Sequence, residues 1–193
     1  PVIVTPKIKG AISDEHPLSA GTIGLTRTDP VYDLLAETDL IIAIGFDVVE
    51  LVKPWESNET TPLIWIANWE NDAPPLPALA EFTGPVAPIL TQLAELTYTP
   101  TAGWGTARVA QLHAKLAYQS LPIPRSGRIL PQTILGTLRT HTPPETLITT
   151  DVGSHKIFTA LNWPAHEPNR YMVSNGLSAM GFGLSAAISA ALI

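Results

Sequence analysis

An α/β fold is what this sequence predicts: a doubly wound parallel-sheet domain followed by the beginning of a second α/β domain. Three observations carry the prediction. Two apolar runs, Asp39-Leu-Ile-Ile-Ala-Ile-Gly45 aside from its polar first residue and Leu63-Ile-Trp-Ile-Ala67, read as strands buried on both faces of a parallel sheet. Segments with apolar residues at helical spacing alternate with them, the pattern of right-handed βαβ units. The alternation resumes after a break rich in Pro and Thr, which implies a second unit.

The elements follow in order. Val2 to Val4 is a short β-branched run and predicts a first strand. In Asp29-Pro-Val-Tyr-Asp-Leu-Leu-Ala-Glu37, Asp29 can cap a helix, Pro30 suits its first position, and the apolar residues fall on one face. Asp39-Leu-Ile-Ile-Ala-Ile-Gly45 and Leu63 to Ala67 are the central strands, and a short strand is expected at Glu81 to Thr83. Gly84-Pro85 then punctuates the chain before an apolar-periodic helix over Val86 to Leu96. Tyr98 to Gly103 has linker composition, and Thr106 to Tyr118 reads as a helix with Val109, Leu112 and Leu116 on one side. After Pro122-Ile-Pro124, Pro131 opens a helix through Arg139, and Thr146 to Thr150 is β-rich. The expected division is residues 1–100 for the first domain, 101–125 for a linker with a helix, and 126–193 for the start of the second.

Composition excludes several functions. A net charge of −6 without a basic cluster argues against nucleic acid and anionic membrane surfaces, which both require concentrated Lys and Arg. No cysteine is present, so there is neither a disulfide framework nor a thiolate metal site, in keeping with a cytoplasmic protein. The apolar stretch from Gly176 to Ile193 is broken by Gly and Ser and falls short of a membrane span. Only 15% of residues are charged, below the usual quarter or so, which implies surface that a partner covers. A strand-like start at Pro1 and a helix-like stop at Ile193 lead to the expectation of an internal fragment.

Two loops can carry chemistry, Asp151-Val-Gly-Ser-His155 and Ser174-Asn-Gly-Leu-Ser-Ala-Met-Gly-Phe-Gly183, each directly after a strand-like run. In open α/β sheets, ligands sit beyond the carboxyl ends of strands, where loop amides and helix N-termini face anions. Gly153, Ser154 and His155 offer close backbone approach, a hydroxyl and an imidazole, a set suited to a diphosphate; an ordinary turn with an Asp cap is the alternative. Gly176, Gly181 and Gly183 permit unusual backbone angles, and the small residues from Leu184 to Ala191 predict a buried helix that packs tightly on all sides. A purely structural glycine turn, with Met180 as core filler, is again the alternative.

Other chemistries find no pattern. There is no dinucleotide G-x-G-x-x-G after a strand, no P-loop Lys-Ser or Lys-Thr, and no G-x-S-x-G elbow around Ser174 or Ser178. His16, His113, His141, His155 and His166 lack ligand spacing. Trp55, Trp65, Trp69, Trp104 and Trp163 lack basic interleaving and read as core or interface anchors.

Taken in order, these segments resemble the thiamine diphosphate-dependent enzymes that include acetolactate synthase, pyruvate oxidase and related decarboxylases. Pro1-Val-Ile-Val-Thr5, Asp14-Glu-His-Pro-Leu18, Gly21-Thr-Ile-Gly24 and Asp39 to Asp47 are similar to that family's central domain. Val48-Val-Glu-Leu51 with Lys53-Pro-Trp55 departs from the Arg-Phe-Asp segment of flavin-binding members, so FAD is not expected. Asp151 to His155, Trp163, Arg170 and Ser174 to Ala187 resemble the start of the thiamine diphosphate-binding domain, with Ser154 and Lys156 standing where Gln is frequent.

The resemblance implies a site. Val152, Gly153, Ser154 and His155 lie against the diphosphate, Gly176 belongs to the second cofactor loop, Ser178 and Met180 border the pyrimidine and thiazolium parts, and Met180 holds the cofactor bent. It also implies Mg²⁺, bound by a Gly-Asp-Gly motif and a later Asn expected beyond Ile193, and a catalytic Glu expected before Pro1. No catalytic residue and no metal ligand is therefore expected within these 193 residues. The parent activity so implied is decarboxylation of a 2-oxo acid with transfer or release of the remaining fragment, in a homo-oligomer joined through its thiamine diphosphate domains. The alternative is a non-catalytic cofactor-binding or structural paralogue.

Overall fold

The computed structural model describes residues 1–26, 29–51, 61–71, 77–96, 103–119 and 127–193. All its strand pairs are parallel. β1 (Val2–Val4) pairs with β2 (Ser19–Thr22), β3 (Ile41–Ile44) with β4 (Leu63–Ala67), β4 with β5 (Ala80–Thr83), and β6 (Ile148–Thr150) with β7 (Tyr171–Val173). The helices are α1 (Val31–Ala36), α2 (Val86–Glu95), α3 (Trp104–Gln119), α4 (Pro131–Thr140), α5 (Ser154–Asn162) and α6 (Phe182–Ala191). The α/β class and the expected order of elements are both found. The strand β2 is the exception, because Ser-Ala-Gly-Thr carries no β-branched run and becomes a strand only by pairing with β1.

The register of the middle ladder sorts its side chains. Ile41, Ala43, Leu63, Trp65 and Ala67 share one buried core with Val31, Leu34 and Leu35 of α1 and with Val109 and Leu112 of α3. Ala20 and Ile23, in and just after β2, join the same core, so the first two ladders share an interior. Phe46 meets Trp65 edge to face, ring centres 6.0 Å apart. The His113 ring N–H donates to the Ser19 carbonyl at 2.7 Å, and ion pairs Arg108–Glu37 and Lys115–Asp33 tie α3 to α1 at the surface.

Three expectations need correction. Among the described residues the opposite face of the middle ladder is covered only at β4: Ile66 is 1% exposed there, whereas Ile42, Ile44 and Phe82 are each 42–51% exposed, so β4 is buried on both faces and β3 on one. The α6 helix is not buried either, with Gly183 its one buried residue; no described element packs over Leu184 and Ile188. Asp29 does not cap α1, because its carboxylate is buried and accepts from the amides of Leu25 and Thr26 instead. Of the tryptophans, Trp65 and Trp163 are buried and Trp69 is exposed. Trp55, Lys53-Pro54, most of the Tyr98 to Gly103 linker and Pro122 to Pro124 lie outside the described residues, as does the Trp104 side chain.

The two halves of the chain meet along a seam. Its first end is built on Gly10, Asp14 and Lys9. The Asp14 carboxylate accepts from Lys9 Nζ and from the Ala165 amide, while the Asp14 amide donates to the Ala165 carbonyl at 3.0 Å. Gly10 lies so near the Glu167 carbonyl that a Cβ would fall 2.1 Å from its oxygen, at a backbone φ of +92°. Only glycine fits there. Farther along, Leu25 packs with Ala160 of α5 and with Tyr171 and Val173 of β7.

Candidate functional site

At the carboxyl ends of β6 and β7 the chain leaves the sheet in two loops, which Asp151 joins. Its Oδ1 accepts from the Val152 amide at 2.8 Å, and its Oδ2 accepts from the amides of Gly181 at 2.8 Å and Gly183 at 3.3 Å. These backbone donors, the Val152 amide first, hold the carboxyl below its usual range. The Thr149 hydroxyl completes the junction by donating to the Gly183 carbonyl at 2.7 Å. Gly183 suits a close approach, since a Cβ there would stand 3.0 Å from the Asp151 nitrogen, a tight contact. Asp151 is therefore a loop tie and not the helix cap that an ordinary turn would make of it.

The first loop ends in the N-terminus of α5. Gly153 is the residue before the helix, at φ +141°, a conformation L side chains rarely adopt. No hydrogen bond to the amides of Gly153, Ser154 or His155 is made among the described residues. The free amides stand at the start of a nine-residue helix, with the Ser154 hydroxyl and His155 imidazole exposed beside them, and such a helix start favours negative charge. The helix is fixed from behind by buried Thr159 and Ala160, and Thr159 donates to the His155 carbonyl at 2.7 Å.

Between the halves lies a cleft of about 310 Å³. Gly24, Leu25, Val49, Glu50 and Leu51 line it from one side of the sequence, and Val152, Gly153, Lys156, Ile157, Asn175, Gly176 and Ser178 from the other. Four of the seven residues expected from sequence thus meet at one cleft: Val152, Gly153, Gly176 and Ser178. Ser154 and His155 stand on the exposed first turn of α5, outside the cleft lining. Met180 is 86% exposed and also outside it.

Three polar side chains of the cleft escape sequence reasoning. Glu50 is 7% exposed; Lys7 Nζ lies 3.7 Å from one of its oxygens. Lys156 Nζ donates to Asn175 Oδ1 at 2.6 Å and, at 3.4 Å, to the Ser174 carbonyl. Burial draws the Lys156 ammonium below its usual range, an effect that the Glu50 charge opposes. The only sequence signal was Lys156 at a position where the resembled family often has Gln. The burial of Glu50 follows from Asp47, whose carboxylate accepts from the Val49 amide and starts the short turn Val48–Glu50 that aims Glu50 inward.

Parallel α/β halves meeting at a loop-lined cleft, with open helix amides beside it, place this chain in the class of α/β proteins in which anionic small molecules are commonly bound at strand ends. Comparison with known proteins narrows the class. Residues 1–93 match the family described as thiamine pyrophosphate enzyme, central domain, and residues 151–193 match the thiamine pyrophosphate enzyme C-terminal TPP binding domain. The chain is 31% identical, along its whole length, to the acetolactate synthase isozyme 1 large subunit of Escherichia coli strain K12, covering 34% of that protein. It is 29% identical over 98% of its length to the acetolactate synthase large subunit of Parasynechococcus marenigrum strain WH8102, covering 31% of it. A third relative, from Buchnera aphidicola subsp. Acyrthosiphon pisum strain APS, is 42% identical over 46% of the chain and 15% of its own length. The chain belongs to the thiamine pyrophosphate enzymes. It spans about a third of the length of the curated relatives it matches from end to end.

Proposed function

We propose that these 193 residues supply one wall of a thiamine diphosphate site in a 2-oxo acid decarboxylase or carboligase of the acetolactate synthase type. The observation that supports this best is the Asp151 tie, which joins the loop before α5 to the loop that carries Gly176 and Ser178, beside one cleft lined by Val152, Gly153, Gly176 and Ser178. The division into residues 1–100, 101–125 and 126–193 belongs to the same proposal, as does the assembly of such chains into a homo-oligomer.

Each residue has a physical role in it. The amides of Gly153, Ser154 and His155 would take up diphosphate oxygens, with the His155 imidazole beside them. Gly176 allows close approach, Ser178 and Met180 border the rings, and the exposed Met180 side chain is free to support a bent cofactor. The bound cofactor supplies the electron sink for decarboxylation, and the protein supplies its shape and surroundings. Among the described residues no group of three or more His, Asp or Glu could hold a metal ion. In this proposal the hard-cation oxygen ligands of Mg²⁺ are supplied from outside the described residues.

Titration with thiamine diphosphate and Mg²⁺ tests this. At millimolar cofactor the backbone amide signals of Gly153 to His155 shift, whereas calorimetry shows no micromolar binding by the 193-residue chain and assays show no turnover. Unmoved Gly153 to His155 signals overturn the cofactor reading. Micromolar binding overturns the claim that these residues form only one wall.

A further inference from the structure

The lysines among the described residues are Lys7, Lys9, Lys115 and Lys156, and the first three each have a carboxylate partner, in Glu50, Asp14 and Asp33. Lys156 has no such partner among the described residues. Its ammonium donates instead to two neutral acceptors, Asn175 Oδ1 at 2.6 Å and the Ser174 carbonyl at 3.4 Å. An ammonium carries three N–H groups, so one is left over.

Two features of its position disfavour this charge. Lys156 is half-buried in the wall of the cleft of about 310 Å³, and burial draws its ammonium below the usual lysine range. It is also the third residue of α5, where the positive end of the helix repels a cation. Glu50 pulls the other way, but without an ion pair to Lys156 and with Lys7 beside it. Cations taken out of water are ordinarily matched by an anion, so a negative group is wanting at this wall. The cleft decides which anion fits. Leu25, Val49, Leu51 and Ile157 give it apolar walls, and the Glu50 charge repels a multiply charged anion more strongly than a single carboxylate. A diphosphate has the open amides of Ser154 and His155, which stand outside the cleft lining.

We propose that Lys156 is a specificity-determining residue that pairs with the carboxylate of the 2-oxo acid, whose short carbon chain lies against the apolar side chains of the cleft. That the acid is a 2-oxo acid rests on the function proposed above; that Lys156 takes a carboxylate rests on its missing partner. The pair is a charge-assisted hydrogen bond, which a neutral analogue of the acid forfeits. Gln, frequent at this place in the resembled family, offers no charge, so the contact belongs to the lysine of this chain.

Pyruvate and methyl pyruvate differ by that one charge and are the probes, with inorganic pyrophosphate as a third. Each is titrated without cofactor into the 193-residue chain carrying ¹³C-labelled lysine, following the Lys156 Cε signal, which Lys156→Gln identifies by its loss. The expected result is a saturable shift with pyruvate, binding roughly ten-fold tighter than methyl pyruvate, as a hydrogen bond to a charged group gives. Lys156→Arg keeps that preference, and in Lys156→Gln the two probes bind equally. Equal binding of both to the unaltered chain, no shift with either, or a Lys156 signal that pyrophosphate moves at the same or lower concentration than pyruvate overturns the proposal. If Lys156→Gln unfolds, the comparison of probes on the unaltered chain still decides. The cofactor reading is judged separately, by the Gly153 to His155 signals with thiamine diphosphate, so either idea can fail without the other.

Discussion

The two ends of the seam differ in how their polar groups are met. At the Gly10 end, the halves touch backbone to backbone, and the buried Lys9 and Asp14 charges satisfy each other and the Ala165 amide. At the Glu50 end, the halves stand apart around a cleft, and a carboxylate oxygen and an amide nitrogen are unpartnered. The contrast separates a closed contact, whose charges are paired, from an open cleft.

The largest effect is expected from breaking the closed end. Asp14→Ala leaves Lys9, 5% exposed, as an unpaired buried charge and removes the acceptor of the Ala165 amide. A loss of about 3–5 kcal/mol in urea unfolding is expected, because a buried ion without its partner retains its desolvation cost. Gly10→Ala comes next. Its Cβ would overlap a backbone carbonyl, which cannot rotate away, at a left-handed φ, and a loss on the order of 3 kcal/mol is expected in the same measurement.

Asp151 gives a smaller, pH-dependent effect. Its folded-state pKa lies below the unfolded value, so its stabilising contribution is fully present above the unfolded pKa of about 4 and is lost as pH falls through the folded one. Unfolding midpoints should therefore decline at acid pH, together with protection of the Gly181 and Gly183 amides. Asp151→Asn should remove that part of the pH dependence; an unchanged acid limb would separate the loop tie from stability. The smallest effect is expected at the open end. Asn175→Ala removes one hydrogen bond to Lys156 and should cost no more than about 1 kcal/mol in the same unfolding measurement.

Much of the fold is legible in the residues. Leu63 to Ala67 announces a strand by its apolar run, Val109 and Leu112 mark the buried side of α3 by their spacing, and Pro131 marks the start of α4. The failures have physical causes. The strand β2 is short and polar and owes its conformation to its neighbour. The helix α6 is apolar all round, which in sequence reads as burial, yet burial requires something to lie over it, and nothing among the described residues does. Gly153, Gly176 and Ser178 are recognisable as loop residues of a site, whereas Glu50 looks like one more surface acid after a strand.

By itself the sequence determined the class of this protein: parallel α/β halves, two glycine-bearing loops after strands, and the likeness to thiamine pyrophosphate enzymes that the comparisons confirm. Those properties depend on local pattern, on spacing and residue type along the chain. The tertiary structure decided which groups are paired. Asp14 answers Lys9 across a closed contact that reaches Ala165, Asp151 ties together loops 30 residues apart, and Glu50 and Asn175 are brought from different halves to line one cleft. Pairing depends on distances between segments remote in sequence, and those distances exist only once the chain has folded.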